Sequence, residues 1–414
     1  GHSWPQLIRA AYWQMTGKLP VQKDLNWWLE IIASHPHMRR VDLVLRIAAS
    51  HGKKTKLTYS DPWLRQLRFL VPPEHGVTRE LGAVFMYFFH CPDGVNGKLS
   101  WANNHAPGMK MPDEICRITP NDNGYYNPFT NPGFWYMELL DARYAGLQFL
   151  LLNCYGPEPP AVYHNLRTAL HAIEAMKLQN TVKLALFDDT WAWGKKWFGE
   201  FWKQIPDMKQ PEQCARLIFE GKWKPFFHSI PRKYWYYFRK RPLIFFYNAG
   251  TLRNRQHAAP VFAKLRELFY QEFGVYPYLC VDKAFWTPAT AGVADNMFRW
   301  YSLGKSTREA THIHHDVSLT LSMVRWDSTA RENHNIERIA QKTDRIYKDD
   351  RLLCHLLNHS RDNDLVVIAT WNDLGEGTAI NRCYDYFWDG AWHTPTHFIE
   401  LIRRSQHGEI LPEE

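Results

Sequence analysis

From Leu81 onward the chain keeps a beat: an apolar run, a polar loop, then an amphipathic stretch. The apolar runs are short and rich in branched residues, the pattern of strands buried on both faces. They fall at 82–90, 147–155, 182–187, 242–248, 276–281, 296–301 and 318–326, and the last starts at Leu365. Amphipathic stretches predict helices at about 133–145, 161–176, 257–273, 333–347 and 396–404. Eight strands alternating with helices predict an α/β fold, a (β/α)8 TIM barrel. A doubly wound open sheet is the alternative. It usually has fewer strands, and no Gly-x-Gly-x-x-Gly follows the first run.

The first part of the chain has a different period. Leu7, Ile8, Ala11 and Tyr12 fit one helical face, as do Leu25, Trp28, Leu29 and Ile32, and 38–49 continues the pattern before Gly52. Residues 1–75 are therefore expected to form an N-terminal helical appendage, and residues 76–414 the barrel. Packing against the barrel is its expected role, with a carbohydrate-docking role as the alternative.

A barrel of this kind carries its working groups where the strands end. Those positions hold His90, Tyr155, Asp188 with Asp189, Asn248, Asp282, Asp327, and Asp373 with Glu376. The last strand is the most informative. Its apolar half, 365–369, turns polar at once: Trp371 and Asn372 precede two carboxylates three residues apart, and Gly375 and Gly377 flank Glu376, freeing the backbone to turn. The plain alternative is a glycine-rich turn bearing solvated acids.

Composition narrows the substrate. Aromatics make up 15% of the 414 residues, with 19 Trp, and aromatic rings stack on the apolar faces of sugars. Trp191 and Trp286 lie in loops beside strand ends and are candidates for that stacking. Many of the others are core. The formal charge of +8 suits an acidic partner, such as an anionic polysaccharide. No basic run carries a nucleic-acid-binding pattern, so nucleic acid is not expected as a partner. No Gly-x-x-x-x-Gly-Lys-Ser/Thr loop is present, which argues against a P-loop nucleotide enzyme.

Seven Cys, with no Cys-x-x-Cys pair, argue against a disulfide framework; Cys154 and Cys280 sit in apolar runs and are expected to be buried thiols. No apolar run reaches transmembrane length. No signal peptide is visible, and the compartment stays open, with a secreted or periplasmic location favoured over the cytoplasm. His312-Ile313-His314-His315-Asp316 has metal-ligand composition. It precedes the seventh strand, hence the N-terminal face of the barrel, so no metal is assigned to it.

The segment Asn372-Asp373-Leu374-Gly375-Glu376-Gly377-Thr378 resembles the Asn-Glu-Trp-x-Glu-Gly-Thr signature of glycoside hydrolase family 99, the endo-α-mannosidases, and of family-99-like proteins from polysaccharide gene clusters. Asn372, Glu376, Gly377 and Thr378 match; Asp373 replaces Glu and Leu374 replaces Trp. Tyr125-Tyr126-Asn127-Pro128, the Ala145-Gly146 step into the second strand and the Arg241-Pro242 step into the fourth are also similar. The likeness spans about residues 80 to 405, at low identity between the motifs.

The resemblance implies a glycoside hydrolase acting inside a polysaccharide or oligosaccharide, without a cofactor. It implies Glu376 as general acid and Asp373 as the group that deprotonates the 2-hydroxyl of the sugar, with retention. Asp is one methylene shorter than Glu, roughly 1.5 Å of reach, so the mechanism can differ here. If Asp373 is instead a supporting group, Asp188, Asp189 or Asp282 becomes the second carboxylate. His90, Tyr155, Asn248, Asp327, Trp371 and Asn372 complete the expected substrate-binding set. A non-catalytic polysaccharide-binding or assembly protein and a sugar transferase in exopolysaccharide biosynthesis are the competing readings.

Overall fold

The computed structural model describes residues 4–5, 8–9, 12, 19–34, 43, 47, 77–86, 132–154, 166, 169–171, 173–174, 182–194, 203–300, 306–325, 349–373, 378–381, 387–388, 391–393 and 396–413. Eight strands build the barrel: β1 Glu80–Phe85, β2 Phe149–Cys154, β3 Lys183–Asp189, β4 Arg241–Tyr247, β5 Tyr278–Asp282, β6 Asn296–Phe298, β7 Val317–Met323 and β8 Leu365–Ala369. Parallel ladders join them in the order β6-β5-β4-β3-β2-β1-β8-β7. Every residue of β2, β5 and β8 is buried, as expected for strands packed on both faces.

The barrel is nearly closed. Between β6 and β7 no ladder forms among the described residues. Instead Thr311–His314, part of the histidine-rich stretch, pairs antiparallel with β7, and the Asn296 side chain donates to Val317 O at 3.0 Å across the seam. His312 Nδ1 meets Asn296 Oδ1 at 2.7 Å. This extra strand is not visible in the hydrophobic pattern, because its alternating histidines read as a polar loop.

Side-chain parity divides the strands. The Phe187 ring of β3 meets Phe245 and Tyr247 of β4, Phe298 of β6 and Trp300 just beyond it, at 5.0–6.4 Å between centroids. Only the barrel interior brings rings from those strands together. Phe246, one residue out of phase, packs instead on Trp223, Phe262 and Phe285 in the outer layer. The N-terminal segment holds α1 Gln22–Ser34, whose buried positions are Leu25 and Trp28; the helices that follow are α2 Pro132–Ala145, α3 Pro211–Ile218, α4 Ala258–Phe273, α5 Arg351–His359 and α6 His397–Gln406. The helix expected at 333–347 lies outside the described residues.

The N-terminal end of the barrel is floored with rings. Tyr236, from the segment before β4, stacks on Phe149 at 4.0 Å, and Phe238 meets Tyr278 at 4.8 Å. Gly82 makes room for this floor: a Cβ there would come within 2.2 Å of the Phe149 ring. At the start of β1 the buried Arg79 donates to Gln406 Oε1, Ser405 Oγ and Leu357 O, tying β1 to α5 and α6.

Four cysteines are described, Cys154, Cys214, Cys280 and Cys354, all free and buried. No described helix is long and apolar enough to cross a membrane.

Candidate active site

The end of β8 is anchored residue by residue. The Trp371 amide continues the β1 ladder by donating to Val84 O at 2.7 Å, and its indole donates to Glu138 Oε2 of α2 at 2.5 Å. The Asn372 side chain pairs with the Met86 backbone on both sides, Oδ1 accepting from Met86 N at 2.7 Å and Nδ2 donating to Met86 O at 3.1 Å. It acts as one more rung between β8 and β1. Trp371 and Asn372, expected to bind substrate, are thus both spent on structure.

Asp373 follows, buried, at the top of this wall. Its amide donates to Thr370 Oγ1 at 3.0 Å, and its carbonyl accepts from Thr378 N at 3.1 Å. The two hydroxyls of Thr370 and Thr378 meet at 2.7 Å, and Ile380 N and Asn381 N both donate to Trp371 O. The motif loop is therefore closed at its base. Residues 374–377, Glu376 among them, lie outside the described residues.

At the end of β3 two neighbouring acids part company. Asp188 has the parity of Phe246, with which it is in register, and faces the outer layer. There its carboxylate is ion-paired to Lys222 and accepts from the Trp223 indole at 2.7 Å, all three side chains being buried. Lys222 and Trp223 come from the helical turn Phe219–Trp223 in the long aromatic connection. This corrects the expectation for Asp188: it is a structural anchor, and an acid committed to a buried ammonium is not available at the mouth.

Asp189 is in register with Tyr247 and so faces the interior. Its Oδ1 accepts from Trp191 N at 2.9 Å, capping the turn Thr190–Ala192, and its Oδ2 accepts from Asn153 Nδ2 at 3.3 Å. Burial outweighs these contacts and the nearby Lys222, and pushes its carboxyl up to about 6. Asn153, fully buried on β2, also donates to Met86 Sδ at 3.1 Å. Its Oδ1 has no hydrogen-bond partner. Asp189, Asn153, Met86 and Asn372 thus form a continuous polar line across the ends of β3, β2, β1 and β8. Asn153 was not anticipated. The signal was there: one amide inside the run Phe-Leu-Leu-Leu-Asn-Cys.

Asp282 repeats the device of Asp189 at the end of β5. Its Oδ1 accepts from Ala284 N at 2.8 Å and caps the turn Lys283–Phe285. Burial raises this carboxyl too, to about 6, against the Ala284 N–H and the positive field of Arg255. The ladders set Asp189 beside Tyr247 and Phe246 beside Val281, so the two acids flank Tyr247 at one level. Two strand spacings separate them, roughly 10 Å. Trp300 packs on Tyr247 at 5.0 Å and completes this side of the mouth.

The remaining expected residues divide. Trp191 is half-buried in the turn that Asp189 caps. Asn248 is half-buried and closes its own turn, Oδ1 accepting from Gly250 N at 3.0 Å. The Trp286 ring is taken up by edge-on contacts with His312 and His314, at 4.9 and 5.1 Å. His90, Tyr155 and Asp327 lie outside the described residues.

The family described as a domain of unknown function, DUF5010, matches residues 98–409. No curated protein matches the sequence. Among solved structures, a glycoside hydrolase-like protein is similar at a TM-score of 0.53 and 13% identity, covering 83% of this chain and 98% of that one. The family 99 endo-α-mannosidase of Bacteroides thetaiotaomicron follows at 0.49 and 12%, covering 79% of this chain and 95% of its own. A broad-specificity endoglucanase from an uncultured bovine rumen ciliate reaches 0.37 at 8% identity, with 82% and 97% covered. At such identity the likeness concerns the fold: a glycoside hydrolase-like TIM barrel.

Proposed function

The chain belongs to the DUF5010 family, and on its glycoside hydrolase-like barrel we propose that it is a glycoside hydrolase cutting within a polysaccharide. The observation that carries this reading is the set of buried carboxyls at the C-terminal strand ends, Asp373 on β8, Asp189 on β3 and Asp282 on β5, the last two held near pH 6. Burying acids costs stability, and carboxyls held with raised pKa at the mouth of a barrel, without a buried cation paired to them, are the kind that active sites use. Glycoside hydrolysis uses two: one protonates the leaving oxygen, the other assists attack at the anomeric carbon.

In this reading Glu376 is the acid and Asp373 its partner, as the motif implies. Asp189 and Asn153 bind sugar hydroxyls. The unpaired Asn153 Oδ1 accepts a hydroxyl proton, and a carboxyl near pH 6 serves as donor or acceptor. Should Asp373 prove to be a supporting group, Asp189 and Asp282 are the remaining second carboxylates. The net charge of +8 suits an anionic polymer.

The test is release of reducing ends from a panel of neutral and anionic polysaccharides by the wild type and by Glu376→Gln. Release by the wild type alone supports the reading; binding without release by either protein overturns it. Proton NMR of the first-formed product then tests Asp373: retention fits attack by the substrate's own 2-hydroxyl, inversion fits activation of water.

A further inference from the structure

We propose that His355, His359 and Glu413 bind a divalent transition metal, zinc by the chemistry of the donor set, at the N-terminal face of the barrel. Helix α5 carries the two histidines four residues apart, so both imidazoles stand on one face. Their rings lie 4.3 Å apart. The C-terminal tail crosses this face and sets Glu413 between them, Oε2 at 3.0 Å from His355 Nδ1 and Oε1 at 3.3 Å from His359 Nε2. One ligand atom from each residue lies within 4.8 Å of the others. Tetrahedral zinc, with bonds of about 2.0–2.2 Å, holds its ligands about 3.3–3.6 Å apart. Small side-chain rotations close the difference.

The donor set selects the metal. Two imidazoles and one carboxylate disfavour magnesium and calcium, which take oxygen, and suit zinc with solvent as fourth ligand. The carboxylate is held in advance. Asn358, on the same helix, donates to Glu413 Oε1 at 2.6 Å and to Leu411 O at 2.8 Å, and accepts from Leu411 N at 2.9 Å. Such outer partners orient ligands in metal sites. Binding at His355 Nδ1 puts the imidazole proton on Nε2 and gives up one long contact, from Thr307 N at 3.4 Å.

The site is remote from the mouth. Helix α5 ends six residues before β8 begins, so His359 stands at the floor end of the barrel. Zinc there staples the tail to α5; it takes no part in turnover. The histidine-rich stretch 311–315 is not this site: His312 and His314 are engaged by Asn296 and by the Ala291 carbonyl.

The experiment is calorimetric titration of the chelator-stripped full chain with zinc chloride, with calcium chloride as control. One zinc per chain is expected, with no calcium uptake. His359→Gln and Glu413→Gln should each weaken binding at least tenfold, about the lower bound seen for losing an outer-shell partner. His257→Gln, an exposed histidine elsewhere, should leave it unchanged. Zinc should raise the melting temperature of the wild type and not of the two ligand variants. Absent binding, or binding unchanged in both variants, overturns the site and leaves the triad an ordinary surface ion pair.

Discussion

The two ends of the barrel are built on opposite principles. The floor is ring on ring, Phe149 on Tyr236 and Tyr278 on Phe238, with Gly82 cut back to admit them. The mouth buries amides and carboxyls instead: Asn153, Asp189, Asp282, Asn372 and Asp373. Apolar burial stabilises whatever its partner, whereas a buried polar group is costly unless paired. The floor therefore maximises stability, and the mouth gives some of it up. Asp188 and Asp189 put the contrast into adjacent residues: one acid is paired and structural, the other is held away from ordinary carboxylate behaviour.

Breaking the mouth at its proposed acid should have the largest effect. Glu376→Gln is expected to lower turnover by about 10² to 10⁴. The loss should shrink on substrates with activated leaving groups. Equal loss on every substrate in steady-state assays would remove Glu376 from the acid role.

Next in size is the buried pair on the outer side of β3. Lys222→Met leaves Asp188 uncompensated and should cost about 3–5 kcal/mol, read from urea denaturation. Adding Asp188→Leu should recover much of that. Turnover of the folded fraction should fall far less than in Glu376→Gln, which separates Asp188 from the mouth.

Asp189 should show the opposite sign. Its carboxyl titrates near 6 folded and near 3.8 unfolded. As pH falls from neutral through about 6 the folded state takes up a proton that the unfolded chain does not, so stability rises until about pH 4 and then levels. Asp189→Asn removes this dependence. The variant should gain up to about 3 kcal/mol at pH 7, and the gain should vanish near pH 4. The Asn153 amide can rotate to offer its unpaired Oδ1 to the new side chain. Melting temperatures across that range check this, and a variant less stable than wild type at pH 7 would contradict it. Its activity should fall, since a sugar contact is lost.

Gly82→Ala tests the floor. The added Cβ collides with a ring already stacked on Tyr236, and overpacking of this kind costs about 1–3 kcal/mol. The melting temperature should fall while kcat below the transition holds. The smallest effect expected is that of chelators on turnover, none, because neither Glu376 nor Asp373 needs a metal.

The alternation of apolar runs and amphipathic stretches was enough to predict eight strands and the helices between them, because strands buried on both faces and helices buried on one write different periods. The same local reading located the motif at the end of β8, and the buried thiols Cys154 and Cys280. It could not say which of Asp188 and Asp189 looks inward. A shift of one residue exchanges the faces of a strand, and the register is set by partners on other strands. Nor could it show Asn372 spent on Met86, 286 residues away, or Arg79 caged by Gln406, 327 residues away. The strand Thr311–His314 exists only because β7 offers it an edge beside the seam. Periodicity is a property of neighbours in the chain; register, pairing and the pKa of a buried acid belong to neighbours in space, and only the tertiary structure decides those.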